Sequence, residues 1–200
     1  MAKSRENWYA LRTARDAVGD KSPLRWLYDF IGSLICAMVM VFVMFGFFVR
    51  PVRVEGSSMM PNFVDGDWLL VNPLPIEPKR GQVVVLSDPG TLHKPIIKRT
   101  IGLPGQTIDF AEGKVLVDGS AIFEAYIPYG VETVPAPDYA AAMEYPAAVP
   151  DNTLFVMGDN RTNSTDSRRK EVGFVPQNRI VGTVFCRLYP TFAWKPAGDY

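Results

Sequence analysis

The chain predicts a mainly β domain carried behind a transmembrane helix, and three observations make that prediction. Phe30 to Val49 is an unbroken apolar run without Asp, Glu, Lys, Arg, His, Asn or Gln. Beyond it come six short β-branched or aromatic runs punctuated by Gly and Pro, the pattern of strands and turns. No stretch after Val49 has the 3.6-residue apolar period of an amphipathic helix. The expected architecture is an N-terminal helix followed by an antiparallel, barrel-like β-sheet with one Pro/Ala-rich excursion.

The apolar run sets the first boundary. About 20 residues at 1.5 Å each match a bilayer core of about 30 Å. A secretory signal peptide has a shorter apolar stretch and a small-residue cleavage site. Here the run ends at Phe47-Phe48-Val49-Arg50-Pro51, which offers no such site, so an uncleaved anchor over 30–49 is expected. A buried core helix is disfavoured by the length and by Phe, Val, Met and Leu on every face. Arg12, Arg15, Lys21 and Arg25 precede the run closely, whereas only Arg50 and Arg53 follow it. The positive-inside rule then places residues 1–29 in the cytoplasm and 50–200 outside the cell (inner) membrane in a single pass.

The expected strands are Trp68–Val71, Val83–Leu86, Ile96–Ile101, Val115–Val117, Thr153–Met157 and Ile180–Leu188. Val117-Asp118-Gly119-Ser120 reads as a two-residue hairpin turn, because Asp-Gly accepts the positive φ angles such turns need. Residues 124–152 are rich in Pro, Ala and Tyr and read as an irregular excursion, with room for a small second lobe.

Composition excludes several functions. The 21 basic and 21 acidic residues cancel, and residues 50–200 carry 15 basic against 17 acidic side chains. That balance gives no reason to expect a nucleic-acid partner. Cys36 lies inside the apolar run and Cys186 near the C-terminus, so no intrachain disulfide is expected. His93 is the single histidine and no Cys/His cluster occurs, so neither a metal nor another cofactor is expected.

Ser58 stands nine residues beyond Val49. An extended chain covers at most about 3.3–3.6 Å per residue, which keeps Ser58 within roughly 30 Å of a membrane surface. A serine hydroxyl needs a base to become a nucleophile. His93 lies in the turn-like run Ser87–His93 and reads as a surface histidine. A neutral lysine is the other known helper. Lys98 sits in Pro95-Ile96-Ile97-Lys98-Arg99-Thr100-Ile101, an expected strand in which Lys98 and Arg99 face opposite sides. One of the two charges must then face inward or into a cleft. A lysine held among isoleucines away from water loses the charged form more readily, as a base working near neutral pH requires. From the residues alone a solvated surface lysine is the more ordinary reading. The polar run Gly158–Arg168 follows an expected strand and reads as a hydrogen-bonding loop. It is not a calcium loop, since Arg161 and Ser164 occupy the third and sixth positions counted from Asp159.

Four segments behind the anchor resemble the type I signal peptidases: GSSMMPNF at Gly56–Phe63, GDWLLVNP at Gly66–Pro73, KRTIGLPG at Lys98–Gly105 and GDNRTNSTDSR at Gly158–Arg168. They occur in that family's order. The resemblance implies a membrane-anchored serine endopeptidase that removes signal peptides from exported preproteins. It assigns Ser58 as the nucleophile, with its backbone N–H on the oxyanion, and Lys98 as general base. Ser164 would orient the lysine, Arg99 would pair with Asp159, and Asp166 with Arg168. Val52, Val54, Met59, Phe63 and Ile97 would line the pocket for small substrate side chains. Preproteins are the implied substrates, membrane lipid an implied partner and secretion machinery a further candidate.

The chain departs from the family pattern at Asn62 and Phe63, where Thr and Leu are usual, and at Thr162, where Asp is frequent. The run Arg169–Val172 is longer than in many members. Some members carry a second oxyanion hydroxyl two positions before the nucleophile, and that position is Gly56 here. Phe63 is expected to favour Ala or Gly over Ser at the cleavage position. The substrate would add as an extended strand beside Val52–Glu55 or Ile96–Ile97. Tyr189, Phe192 and Trp194 suit either a headgroup layer or a packed core. A self-cleaving repressor would need a DNA-binding domain, for which residues 1–29 are too short. A non-catalytic anchored β-domain is the remaining alternative.

Overall fold

The structure is a computed structural model describing residues 23–74, 77–87, 94–136 and 142–194. His93, Arg12, Arg15 and Lys21 lie outside the described residues. The chain divides into two compact units, residues 1–45 and 46–200.

Helix α1 runs Pro23–Val43 and passes into a π-helical turn, Met44–Phe48. It starts ahead of the charge-free run, because proline fits a first helical turn and Leu24, Trp26 and Leu27 extend the apolar surface. None of its residues is buried. The stretch Pro23–Phe48 is long and apolar enough to cross a membrane.

The second unit is mainly β, with a short 3-10 turn at Gln177–Arg179. Its main sheet contains β1 (Arg50–Arg53), β2 (Trp68–Asn72), β3 (Val83–Leu86), β4 (Ile96–Gly102), β9 (Thr153–Met157), β10 (Val175–Pro176), β11 (Ile180–Tyr189) and β12 (Ala193–Trp194). The strand order is β1-β2-β11-β3-β4-β9-β10, with β12 added to β11. All the pairings are antiparallel. A second sheet holds β5 (Thr107–Ala111), β6 (Lys114–Val117), β7 (Ser120–Ala121) and β8 (Ala147–Ala148), in the order β7-β6-β5-β8.

The expected strands all form, and the fold adds short ones that lack a β-branched signature, among them Arg50–Arg53 and Ala147–Ala148. The expected Asp118-Gly119 turn forms, with φ of 51° and 76°. Glu112 and Gly113 make a matching turn one strand earlier. The departure from the main sheet begins at Gly102, ahead of residues 124–152. A Cβ on Gly102 would stand 2.7 Å from Ile108 Cδ1 and 3.0 Å from Phe155 Cβ, so a side chain there would have to displace the contacts by which the two sheets meet. Residues 142–149 return to add β8 alongside β5.

Three apolar clusters fill the domain. Ile101, Ile108, Val117, Phe155 and Met157 join the two sheets. Val84, Leu86, Leu154, Val156 and Val175 fill another cluster. Val54, Met59, Phe63, Leu69 and Val83 form the third, with Ile97 and Val184 against it. Strand β4 touches all three, so both of its faces are covered. Lys98 and Arg99 are therefore both buried, where alternation alone requires only one. Tyr189, Phe192 and Trp194 are each more than 60 % exposed and do not pack in the core.

Candidate active site

Two loops and one strand meet at the site. The first loop follows β1 and contains Gly56 to Phe63. Its backbone is braced by Val54 N–H on Asp67 O (2.8 Å), Gly66 N–H on Val54 O (3.0 Å) and Phe63 N–H on Met59 O (3.0 Å). Gly56 has φ of 87°, the left-handed region that favours glycine, and its N–H donates to Asp65 Oδ1 at 2.8 Å. The second loop, 158–168, follows β9 and packs against the first. Asn160 N–H donates to Ser58 O and its Nδ2 to Ser57 O, both at 3.0 Å. Gly158 makes this approach feasible. A Cβ there would lie 2.4 Å from Ser58 O and 2.3 Å from Ser164 Oγ.

Strand β4 supplies Lys98. Lys98 Nζ donates to Ser58 Oγ at 2.8 Å and to Ile97 O at 3.1 Å. The lysine is 3 % exposed. Burial lowers its pKa from 10.5 to about 8, against the opposing pull of Asp166 and Asp159, with Lys94 and Arg168 adding to the fall. A lysine in that range holds an appreciable neutral fraction near pH 8, as a general base must.

Beside the pair lies a cleft of about 540 Å³. Val52, Val54, Met59, Val85, Ile96 and Ile97 form its apolar wall, with Ser57, Ser58, Lys98, Asn163 and Thr165 on the polar side. Phe63 does not line it. That ring is fully buried beneath Val54 and Met59, so it shapes the pocket from behind rather than facing a substrate.

The charged residues around the site are buried in pairs. Arg99 donates from Nε to Asp159 Oδ1 (2.8 Å) and from Nη2 to Oδ2 (2.6 Å), with both side chains at zero exposure. Arg168 holds Asp166 in the same two-pronged way, at 2.9 Å on each oxygen. Burial by itself would raise the Asp166 pKa. The two Arg168 hydrogen bonds, its charge and the Gly158 N–H (3.0 Å) outweigh that and hold the carboxyl below the usual range. Ser164 Oγ is buried next to Gly158 and near enough to Asp166 to favour its charged form, yet makes no hydrogen bond of good geometry. It is not among the partners of Lys98.

Sequence reasoning gave no role to three residues that knit this site. Asn62 Nδ2 donates to both Asp159 Oδ2 and Tyr126 O at 2.8 Å, so one carboxylate anchors the Ser58 loop and the Lys98 strand together. Arg161 pairs with Glu124 and donates to Thr133 Oγ1 at 2.6 Å, tying the excursion to the 158–168 loop. Tyr126 lies under the Arg99 guanidinium, 3.9 Å from carbon to ring centroid. The only sequence signal for Asn62 was its departure from the expected Thr.

A serine and a buried amine at hydrogen-bond distance, beside an apolar cleft, can acylate and deacylate on the serine oxygen. The family model described as "Signal peptidase, peptidase S26" matches residues 27–189. A probable signal peptidase I-1 of Synechocystis is 34 % identical over 90 % of this chain and 91 % of its own length. A signal peptidase I of Bacillus amyloliquefaciens is 34 % identical over 89 % of this chain and 92 % of its own. A solved signal peptidase I from Enterococcus faecalis shares 27 % identity, with a TM-score of 0.45, covering 55 % of this chain and 98 % of that one. The chain belongs to the signal peptidase family, peptidase S26. It is a hydrolase, a serine endopeptidase of the kind that removes signal peptides.

Proposed function

We propose that the protein cleaves exported preproteins with a Ser58–Lys98 dyad, from a domain anchored outside the cell membrane by residues 30–49. The observation that carries this reading is the 2.8 Å bond between Lys98 Nζ and Ser58 Oγ inside the cleft. Neutral Lys98 takes the Ser58 proton as the oxygen attacks the scissile carbonyl, and returns it to the leaving amine. It then activates the water that releases the acyl group. Ser58 N–H faces the developing oxyanion. The resemblance assigns Ser164 to orient the lysine ammonium, a contact that Lys98 does not make in this structure. The Arg99–Asp159 and Asp166–Arg168 pairs hold the loop and strand together and take no part in the chemistry.

The substrate adds as an extended strand between Val52–Glu55 and Ile96–Ile97, with its small side chains toward Val52, Val54, Met59 and Ile97. A short tether keeps Ser58 near the outer surface of the bilayer, where a signal peptide ends. Exposed Tyr189, Phe192 and Trp194 suit the headgroup layer. With residues 1–29 in the cytoplasm, secretion machinery is a candidate partner on either side. A non-catalytic binding module predicts a broken dyad, and the intact one argues against it.

The test is cleavage of a preprotein by the full-length chain in detergent, followed by sequencing of the product N-terminus. The wild type is expected to cut at the signal-peptide junction and Ser58→Ala to release no mature chain. Full activity in Ser58→Ala overturns the reading. Phe63, pressing Val54 and Met59 forward, is expected to make precursors with Ala at the cleavage position faster substrates than those with Ser. Equal rates would remove Phe63 from the specificity argument.

A further inference from the structure

We infer that the Ser57 hydroxyl, fixed by Asn163, is the second donor to the oxyanion, acting beside the Ser58 N–H. The inference rests on the assignment of Ser58 as nucleophile. When Ser58 Oγ bonds to the scissile carbonyl carbon, its proton passes to Lys98 Nζ and the carbonyl π pair moves onto oxygen. That oxygen carries a full negative charge until the C–N bond breaks and the amine leaves with the proton from Lys98. A single N–H leaves the charge half-served, since acyl-transfer sites of this kind use two or more donors aimed at the same oxygen.

The donors available near Ser58 are few. Gly56 has no side chain to offer, and its N–H is committed to Asp65 Oδ1 at 2.8 Å. Asn160 spends its N–H on Ser58 O and its Nδ2 on Ser57 O. Ser57 is different. Its Oγ accepts a hydrogen bond from Asn163 Nδ2 at 3.0 Å, and its own hydrogen has no acceptor among the described residues. The Ser58 N–H likewise donates to nothing among them. Ser57 and Asn163 both line the cleft that holds Ser58 and Lys98.

Covalent geometry does the rest. Ser57 Oγ and the Ser58 nitrogen are joined through the Cβ, Cα and carbonyl carbon of one residue. Their hydrogens therefore lie only a few ångströms apart and can converge on one oxygen. Asn163 selects the side-chain rotamer by occupying a lone pair of Ser57, which leaves the O–H as the free end of a polarised chain from amide to hydroxyl to oxyanion. Asn163 is thus a positioning residue, and Ser57 the one that touches the reacting oxygen.

The test compares Ser57→Ala, Ser57→Thr and Asn163→Ala with the wild type, using preprotein cleavage and two matched peptide analogues. One analogue is an aldehyde that adds Ser58 and forms a tetrahedral centre. The other is a reduced amide that binds the cleft without an oxyanion. Ser57→Ala is expected to lower kcat by about 100 to 1000-fold with KM unchanged, the loss seen when one oxyanion donor is removed. It is expected to weaken the aldehyde and not the reduced amide. Ser57→Thr keeps the hydroxyl and most of the rate, and Asn163→Ala falls between. The affinity ratio of the two analogues is insensitive to partial unfolding, because both need the same folded cleft. Wild-type kcat in Ser57→Ala, or equal weakening of both analogues, overturns the proposal while leaving the dyad intact. Loss of activity in Ser57→Thr equal to that in Ser57→Ala overturns it as well. Cleavage by Ser58→Ala would instead remove the dyad and this inference together.

Discussion

Lys98→Met is expected to abolish preprotein cleavage while making the folded domain more stable. General-base catalysis contributes about 100 to 10,000-fold, so the loss in kcat should be at least of that size. The stability gain follows from the burial of Lys98. A buried lysine lowered from 10.5 to about 8 releases a proton more easily in the folded chain than in the unfolded one. Between those two pH values the unfolded chain holds more protons, so stability rises with pH across that window and is lowest, with respect to this group, below about pH 8. The cost at neutral pH is on the order of 3 kcal/mol, and methionine, apolar and of similar length, removes it. The lost hydrogen bonds to Ser58 and Ile97 offset part of the gain. Denaturant unfolding at pH 7 and at pH 10 checks this: the wild type should approach Lys98→Met in stability at the higher pH. Wild-type kcat is expected to rise through an acid limb near pH 8. A variant with lower stability than wild type at pH 7, or a wild-type profile flat from pH 6 to 9, would sink the argument that burial tunes Lys98.

Asp159→Ala is expected to destabilise the domain by about 3–5 kcal/mol, because it removes the carboxylate on which the fully buried Arg99 guanidinium places two hydrogen bonds. Arg99 is fully buried, and its bond to Gly81 O (2.6 Å) does not replace the charge of Asp159. The same substitution removes an acceptor from Asn62, which ties the Ser58 loop to the carboxylate. Asp159→Asn preserves shape and one acceptor oxygen and should cost less. The pH profile gives a second readout. The Asp159 charge opposes the fall in the Lys98 pKa, so its loss should move the acid limb of kcat to lower pH in whatever fraction remains folded. Thermal unfolding midpoints and the kcat profile check the two effects separately. An unfolding free energy within about 1 kcal/mol of wild type would show that the buried pair is not holding the loop.

Much of the fold was legible in the sequence because its signals are local. A charge-free run reports its own length, and α1 differs in starting earlier, at Pro23, and in giving way to a π-helical turn after Val43. Strands such as Val83–Leu86 and Ile96–Gly102 carry β-branched signatures, and Asp118-Gly119 carries its turn. Arg50–Arg53, Ala147–Ala148 and Val175–Pro176 carry at most one β-branched residue each. They are strands because a neighbouring strand presents unpaired backbone groups to them, and no local pattern records that. The second sheet was hidden for a related reason. Its closing strand comes from inside a Pro/Ala-rich excursion and joins by register alone.

The site divides along the same line. Sequence by itself determined which groups are present: a serine behind a long apolar run, a lysine among isoleucines, and a polar loop rich in donors. It also determined that Lys98 and Arg99 leave the strand on opposite sides, since alternation is covalent geometry. Tertiary structure decided that both are buried, because β4 is covered on both faces by clusters far apart in the chain. It decided that Phe63 lies behind the pocket and that Asn62 shares one carboxylate with Arg99. It also placed Ser57 against Asn163. The physical reason is distance along the chain. Desolvation and shared hydrogen bonds arise between residues separated by tens of positions, and only the closed sheet brings them within a few ångströms.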